Sequence, residues 1–426
     1  MPISRTVRER LASGRMVQRG GFVLTVLALA TVVCGSEGCS KGQESAGVQD
    51  APLGGRSPAL FVTQAQFRER KNIDGKTETV PGAAKLTILR KTGSGWTTVT
   101  VEDPDSNVFH KALPYNDGIV TIGGDRAMLK VWRLAGNQWQ QETHWSPKFG
   151  GKFDRLRDVE EGDVDGDGKQ EFVIATHDQG VIAVVHPDEN WRVEEVNREP
   201  NRFAHEIEIG DVDGDGHAEF FATVSQPNTL DKPQTGDIRL YRYGAGRWDK
   251  TVVETGEDTH AKEILAVDVD RDGRAELFAA WEAAVDPQGK ILRPVTVKEY
   301  RWANGGFESS QVATIPDRQL RSMTAGDVKG DGTIAIVAGA LSSGLWLFER
   351  EGDGWKKSLI DSNSSGFEHP VYVTDLDGDG KAEIYVGSED QHELRRYRWE
   401  QGQFVHTVIA PLAKDDITWN ITSGTF

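Results

Sequence analysis

Short apolar runs separated by turn residues recur along the chain from about residue 58 onward. Several of these runs are β-patterned and end in a turn containing Gly, Asn or Asp; examples are 86–89, 129–132, 238–241 and 345–348. Such short runs between turn formers are typical of β-hairpins. One aromatic residue follows each turn and begins the next strand, which predicts seven repeated units. These aromatics are Trp96, Trp139, Trp191, Trp248, Phe307, Trp355 and Phe404.

A nine-residue acidic segment precedes the hairpin in several units. It carries carboxylates at positions 1, 3, 5 and 9 and Gly at position 6. A fifth, decayed copy has Lys329 at position 3 and Ala335 at position 9. The carboxylates of the four intact copies are Asp163, Asp165, Asp167 and Glu171; Asp211, Asp213, Asp215 and Glu219; Asp268, Asp270, Asp272 and Glu276; and Asp375, Asp377, Asp379 and Glu383.

Each unit therefore consists of a strand, the acidic segment, an apolar strand, a turn, a third strand, a Gly turn and an aromatic strand. Four short strands in roughly 50 residues are typical of a propeller blade. The first unit, 59–102, lacks an inner strand, and 417–426 is a lone strand with no hairpin after it. Pairing the two closes the ring and removes exposed sheet edges. The sequence predicts an all-β protein: a seven-bladed β-propeller of four-stranded blades, closed by strands from both termini.

Four carboxylates within one turn repel each other, and a hard divalent cation with oxygen ligands relieves that repulsion. All-oxygen ligation favours Ca²⁺. The segment differs from an EF-hand, since position 12 is an apolar strand residue and Glu stands at position 9. An acidic β-turn without metal is the alternative. The sequence predicts about four structural Ca²⁺ ions per chain and none in the decayed copy.

These acidic segments resemble the FG-GAP or VCBS-type repeats of integrin α-chain propellers and of many secreted bacterial proteins. The resemblance covers most of residues 58–426 and implies the propeller fold. It also implies sites that are saturated by protein oxygens and are therefore not catalytic. By the same resemblance, position 7 contributes a backbone carbonyl to the metal; the residues concerned are Lys169, His217, Arg274 and Lys381.

The N-terminal segment predicts export. Five Arg residues lie within 1–20, and an apolar run at 22–33 follows that is too short to span the hydrocarbon core. We expect a signal peptide over 1–38, a flexible tether over 39–57 and the propeller over 58–426; an uncleaved membrane anchor is the alternative. Gly38-Cys39-Ser40 resembles the processing site of a bacterial lipoprotein, which implies lipidation of Cys39, with Cys34 as the other candidate. The expected location is the cell envelope (outer membrane or cell surface) or the secreted fraction.

A set of basic residues stands six positions before the first Asp of each acidic segment. This position begins the inner strand, at the end opposite the acidic segments, where inner strands line a central channel. A carboxylate, Asp158, Glu206 or Glu263, follows three of them. The sequence predicts an anion or sugar site at the channel mouth; solvated strand-entry residues or salt bridges between blades are the alternative. Its residues would be Arg157, His205, Glu206, Lys262, Glu263, Arg321 and His369.

The composition and net charge of the chain limit the classes of function that it can have. The chain has 426 residues, with 49 Lys+Arg against 66 Asp+Glu and a net charge of −17. This balance argues against nucleic acid as a partner and leaves membrane contact to an N-terminal lipid. The first hypothesis is a calcium-binding, non-enzymatic module for binding, adhesion or scaffolding, with a protein or glycan ligand. The second is a carbohydrate-active enzyme such as a polysaccharide lyase that uses the charged residues of the channel mouth.

Overall fold

The computed structural model describes residues 57–425, apart from 72–75, 94, 137, 152–153, 228–233 and 287. The predicted signal peptide, most of the tether, Cys34 and Cys39 lie outside the described residues. Within them the chain forms seven four-stranded antiparallel sheets, one small hairpin and a single 3-10 helix (Pro187–Glu189). No helix in this part of the chain is long and apolar enough to cross a membrane.

The first three blades are built from consecutive strands. Blade 1 contains β1 (Pro58–Lys71), β2 (Thr77–Thr92) and β3 (Gly95–Asp103). Blade 2 contains β4 (Val108–Tyr115), β5 (Gly118–Gly124), β6 (Leu129–Ala135) and β7 (Gln138–Trp145). Blade 3 contains β8 (Leu156–Gly162), β9 (Glu171–Thr176), β10 (Ile182–His186) and β11 (Arg192–Asn197).

Blades 4 and 5 follow the same order, with an extra hairpin in blade 5. Blade 4 contains β12 (Phe203–Gly210), β13 (Glu219–Ser225), β14 (Gly236–Gly244) and β15 (Arg247–Gly256). Blade 5 contains β16 (Ala261–Val267), β17 (Glu276–Trp281), the hairpin β18 (Ala284–Val285) and β19 (Ile291–Arg293), then β20 (Val295–Ala303) and β21 (Gly306–Ile315).

The last two blades precede a final lone strand. Blade 6 contains β22 (Leu320–Gly326), β23 (Ala335–Ala340), β24 (Leu345–Glu351) and β25 (Gly354–Asp361). Blade 7 contains β26 (Val371–Thr374), β27 (Glu383–Ser388), β28 (Glu393–Glu400) and β29 (Gln403–Pro411). The chain then ends in β30 (Asp416–Thr425).

The two ends of the propeller chain share one blade, as predicted. β30 pairs with β1, so the sheet order of blade 1 is β3-β2-β1-β30, and the last strand supplies its inner edge. The inner strands of neighbouring blades adjoin around a central channel. The predicted all-β fold, the seven blades and the closure by both termini are confirmed.

Seven hydrophobic clusters hold neighbouring blades together, one at each interface between described blades. Each hairpin aromatic packs into a different one of these clusters, against the preceding blade. Trp139 of blade 2 lies in the cluster shared with blade 1, and Trp96 of blade 1 lies in the cluster shared with blade 7, with its ring 6.2 Å from that of Tyr385. Large aromatic side chains bury much apolar area in such positions, so this series is core packing.

Candidate functional site

Each acidic segment forms the loop between the first and second strands of its blade. The aspartate at position 1 organises the loop, because its carboxylate accepts hydrogen bonds from the backbone N–H of position 6 and from that of position 4, or of position 5 in blade 5. In blade 3, Asp163 accepts from Gly166 at 2.8 Å and from Gly168 at 2.9 Å. The glutamate at position 9 accepts from the N–H of position 2, as Glu171 does from Val164 at 3.2 Å. Both glycines have positive φ, which allows the sharp turn.

The loop geometry fits a cation with oxygen ligands in the four intact copies. In each of them, at least three carboxylates offer ligand atoms within 4.8 Å of one another. Carboxylate oxygens grouped in this way could hold a hard divalent cation. The groups are Asp163, Asp165 and Asp167; Asp211, Asp213 and Glu219; Asp268, Asp270 and Glu276; and Asp375, Asp377 and Glu383.

Burial of the position-9 glutamates adds to the electrostatic cost of these loops. Burial raises the pKa of Glu171 to about 7, and it likewise raises the pKa of Glu276 to about 7. Both glutamates are almost fully buried, and the neighbouring aspartates repel the carboxylate. A cation that neutralises the glutamate therefore adds more stability than one at an exposed aspartate.

A positive side chain from outside the loop contacts positions 3 and 9, and sequence reasoning missed it. In blade 4, Arg242 of β14 lies 2.9 Å from Asp213 and 2.8 Å from Glu219. In blade 5, Arg301 of β20 lies 2.8 Å from Asp270 and 3.1 Å from Glu276. The second-to-third strand connections differ in length, so these partners stand at no fixed sequence distance from the loop.

The decayed loop of blade 6 replaces this arrangement with a reversed pair. Lys329 at position 3 forms an ion pair with Glu349 of β24. Ala335 faces Glu349 in the register in which Glu219 would face Arg242, since Ile336 pairs with Phe348 and Phe220 pairs with Tyr241. In blade 6 the positive charge therefore lies in the loop and the negative charge on the third strand, the reverse of the arrangement in blades 4 and 5.

Side chains at position 7 connect neighbouring loops around the rim. A Cβ built on Gly166 would lie 3.1 Å from the imidazole of His217, and one on Gly214 would lie 2.9 Å from Arg274. Lys381 covers Gly330 in the same way. Lys169, the remaining predicted carbonyl donor, is exposed and pairs with Asp167 at 3.1 Å. The side chains of His217, Arg274 and Lys381 therefore each contact the acidic loop of the preceding blade.

The opposite end of the channel has a feature that strand periodicity did not predict. Six of the seven inner strands contain a register shift at the equivalent place, so that extra residues there have no regular partner. A β-bulge redirects side chains and is common next to functional sites. The bulged residues are His110, Arg157, His205 with Glu206, Lys262, Arg321 and Trp419.

Charged side chains meet across the channel at this end. Arg157 of blade 3 lies 3.5 Å from Glu206 of blade 4 and 4.0 Å from Glu368 of blade 7. Arg321 of blade 6 forms an ion pair with the same Glu368 oxygen. Blades 3 and 7 are not neighbours in the ring, so these side chains converge at its centre. The guanidinium of Arg157 also lies 5.3 Å from the ring of Trp419 in blade 1.

Lys262 and Glu263 are the unpaired members of this group. They are 7% and 8% exposed, and neither side chain has a hydrogen bond or ion pair to another described residue. Burial, followed by repulsion from Arg321, lowers the pKa of Lys262. Burial raises the pKa of Glu263 against the attraction of Arg321. Strongly perturbed groups without a structural partner are frequent at binding and catalytic sites.

The two predicted histidines lie in the blade walls and do not contact this charged group. His205 is fully buried, with Nδ1 3.1 Å from His177 and Nε2 3.1 Å from Ser225. His369 contacts the backbone carbonyl of Ala340 and the hydroxyl of Ser364, both at 2.7 Å. Sequence reasoning placed His369 in register with Arg157, whereas its neighbour Glu368 is the residue that reaches the channel.

Comparison with known proteins supports the repeat assignment. A family profile described as an FG-GAP-like repeat matches residues 163–222, 211–279 and 327–386. Each match begins at the first aspartate of an acidic loop and extends past the next loop, so together they include all five loops. No curated protein sequence matches the chain.

Solved structures share the fold at low sequence identity. The chain is similar to a 6-phosphogluconolactonase, so assigned tentatively, from Bacteroides uniformis, with a TM-score of 0.55, 12% identity and coverage of 86% of this chain and 99% of that one. A protein of the same description from Bacteroides fragilis gives a TM-score of 0.51, 12% identity and coverage of 86% and 98%. A Lactobacillus plantarum protein gives 0.51, 11%, 86% and 99%. These likenesses concern the fold alone.

Proposed function

Because the chain carries FG-GAP-like repeats on a seven-bladed propeller, we propose that it is an exported binding module with its ligand site at the channel mouth. The fold itself suggests a binding or scaffold module. The ligand would be a protein or glycan that presents a carboxylate. The observation that carries this proposal is the convergence of Arg157, Lys262 and Arg321 at the channel end opposite the acidic loops.

The unpaired ammonium of Lys262 favours an anionic ligand group. Arg157 and Arg321 are already engaged by Glu206 and Glu368, whereas Lys262 has no partner among the described residues. An unpaired buried ammonium is costly, and a ligand carboxylate would supply the missing charge. The aromatic ring of Trp419 next to Arg157 adds an apolar surface on which a sugar or aromatic group can pack.

Binding to Lys262 tests the proposal. We expect the calcium-loaded chain to bind some member of a panel of oligouronates and acidic peptides in calorimetry, and Lys262→Met to weaken that binding at least about tenfold. Lys356→Met, on the exposed outer strand β25, is the matched control and should bind normally. Equal affinity of both variants, or no binding by the wild-type chain, would refute this site.

The perturbed pair Lys262 and Glu263 also favours a second candidate, a polysaccharide lyase. A cation that neutralises a uronate and a carboxylate with raised pKa beside it are the groups such a reaction needs. Incubation with acidic polysaccharides should then generate an unsaturated product that absorbs ultraviolet light. Glu263→Gln should abolish it while retaining binding. Binding without product supports the non-enzymatic module.

For the acidic loops we propose one structural Ca²⁺ in each of blades 3, 4, 5 and 7 and none in blade 6. A cation held only by the folded loop adds its binding free energy to stability. Metal analysis after dialysis should find about four Ca²⁺ per chain, and chelation should lower the melting temperature. Asp211→Asn should remove one ion, whereas Asp327→Asn in the decayed loop should remove none. A metal-free chain of unchanged stability would contradict the proposal.

We further propose export with an N-terminal lipid on Cys39, on the basis of the sequence pattern of residues 1–40. Expression in a bacterial host with a labelled fatty acid should yield a labelled protein. Cys39→Ala should abolish labelling, and Cys34→Ala should not. Label retained in Cys39→Ala but lost in Cys34→Ala would move the modified residue to Cys34. An unlabelled wild-type protein would refute lipidation.

A further inference from the structure

The four intact acidic loops differ in the residue that faces position 9 from the third strand. Glu219 faces Arg242, and Glu276 faces Arg301, because the pairs that follow them in register are Phe220 with Tyr241 and Leu277 with Tyr300. By the same register, Glu171 of blade 3 faces a histidine, His186, since Phe172 pairs with Val185. An imidazole therefore occupies the place that a guanidinium takes in blades 4 and 5.

The contacts of His186 differ from those of the arginines. The Arg242 nitrogens lie within hydrogen-bond distance of Asp213 and Glu219. His186 Nδ1 lies 3.7 Å from Asp165 Oδ2 and 3.7 Å from Glu171 Oε1, beyond the range of a hydrogen bond. The side chain is 4% exposed and makes no hydrogen bond to a described residue. Nδ1 therefore faces two carboxylates without a hydrogen bond to either, and Nε2 lies 3.7 Å from Oε2 of a third carboxylate, Glu194.

This spacing is the one expected of ligands around a common ion. Two ligand atoms that each lie about 2.1 Å from a tetrahedral metal are roughly 3.4 Å apart. Ligand atoms of Asp165, Glu171 and His186 all lie within 4.8 Å of one another. An imidazole nitrogen with two carboxylate oxygens, and room for water, is a donor set of open zinc sites. Calcium prefers oxygen donors only.

We propose that Asp165, Glu171 and His186 of blade 3 form a site for a divalent transition-metal ion of the zinc type, which displaces the Ca²⁺ proposed above for this loop and leaves Ca²⁺ in blades 4, 5 and 7. Imidazole raises affinity for such ions over Ca²⁺. The guanidiniums of Arg242 and Arg301 cannot act as ligands, so their loops lack this capacity. The site does not depend on calcium in blades 4, 5 and 7.

The competing explanation is that His186 serves as an imidazolium counter-ion and replaces arginine only in charge. His186→Arg separates the two explanations, because it installs the guanidinium that blades 4 and 5 already accommodate. His217→Gln is the matched control, since the exposed His217 lies against Gly166 of the same loop. Circular dichroism and melting temperature establish that each variant is folded.

The full chain is stripped with chelator and resupplied with excess Ca²⁺. It is then titrated with Co²⁺ as a visible probe, and Zn²⁺ is added as the competitor. We expect the wild-type chain and His217→Gln to develop d–d absorption at one equivalent, and Zn²⁺ to abolish it. His186→Arg should lose this signal, with affinity reduced by more than about 100-fold. No cobalt signal in the wild-type chain, an unchanged signal in His186→Arg, or its loss in His217→Gln would overturn the proposal, whatever the calcium content.

Discussion

Buried histidines are the residues that make this propeller sensitive to acid. His110 and His369 each contact a backbone carbonyl through Nδ1 at 2.7 Å, which requires the proton on that nitrogen. In His369 the other nitrogen, Nε2, lies 2.7 Å from the Ser364 hydroxyl, and because burial lowers the pKa of the ring, the neutral imidazole accepts a hydrogen bond there. Burial lowers the pKa of His110, His177 and His205 as well as that of His369. Protonation of any of them places an unpaired charge in the fold.

His369 provides a test at the residue scale. Burial lowers its pKa from 6.5 to about 4. Between these values the unfolded chain binds more protons, so the free energy of unfolding falls as pH drops below 6.5, by up to about 3 kcal/mol at pH 4. His369→Asn should have a shallower dependence, in urea denaturation with excess Ca²⁺ from pH 7 to 4. Asparagine tolerates the positive φ at this position. The exposed His217→Asn should retain the wild-type slope, and identical slopes in all three proteins would contradict this account.

At the scale of the element, the charged side chains of each acidic loop face a side chain of opposite or complementary charge on the third strand of the same blade. Lys329→Asp should place a carboxylate against Glu349 and lower the free energy of unfolding by roughly 1–3 kcal/mol, since both side chains are about four-fifths buried. Adding Glu349→Arg should restore most of the loss, because it recreates the arrangement of Asp213 with Arg242.

A double-mutant cycle measured by urea denaturation gives this coupling directly. Both single variants should be less stable than the wild-type chain, and the double variant more stable than the sum of the two effects predicts. Strict additivity would show that the ion pair between loop and strand contributes nothing. Glu351→Arg, near the exposed end of the same strand, is the control for a general charge effect.

The repeat pattern in the sequence predicted much of this architecture. Trp139, Trp191 and their equivalents mark one hairpin per blade because each packs against the preceding blade, which forces the periodicity. The loop ligands were predictable since they are contiguous in sequence. Glu368 and Arg242 were not, because a one-residue shift before β26 and variable strand connections remove any fixed spacing. The bulges that redirect Arg157, Lys262 and Arg321 break the two-residue periodicity on which strand predictions depend.

For the whole molecule, the two candidate sites lie at opposite ends of the inner strands. The acidic loops follow the ends of β8, β12, β16, β22 and β26, and the charged residues of the channel mouth lie at or just before their beginnings. The mouth and the acidic loops are therefore connected by the same five inner strands. The mouth depends on closure of the ring, because Arg157, Glu368 and Arg321 meet only when blades 3, 6 and 7 surround one channel.

Closure depends on the close approach of β30 to blade 2, which Gly424 permits. An added Cβ there would lie 2.6 Å from Pro114 Cβ and 3.0 Å from the Phe61 ring. The proline ring cannot move aside as a flexible side chain would, so Gly424→Ala should destabilise the ring by about 1–3 kcal/mol. Gly306→Ala, on the outer strand β21 with no atom within 4 Å of its added Cβ, is the matched control.

Urea denaturation gives the stability difference between these variants, and limited proteolysis locates it. In Gly424→Ala we expect early cleavage near the C-terminus, because β30 has no chain connection to its neighbour β1 and separates from it first. Cleavage there opens blade 1 and should also abolish ligand binding at the mouth, since Trp419 of β30 lies against Arg157. Equal stability of the two glycine variants would show that the blade interfaces hold the ring closed without this strand.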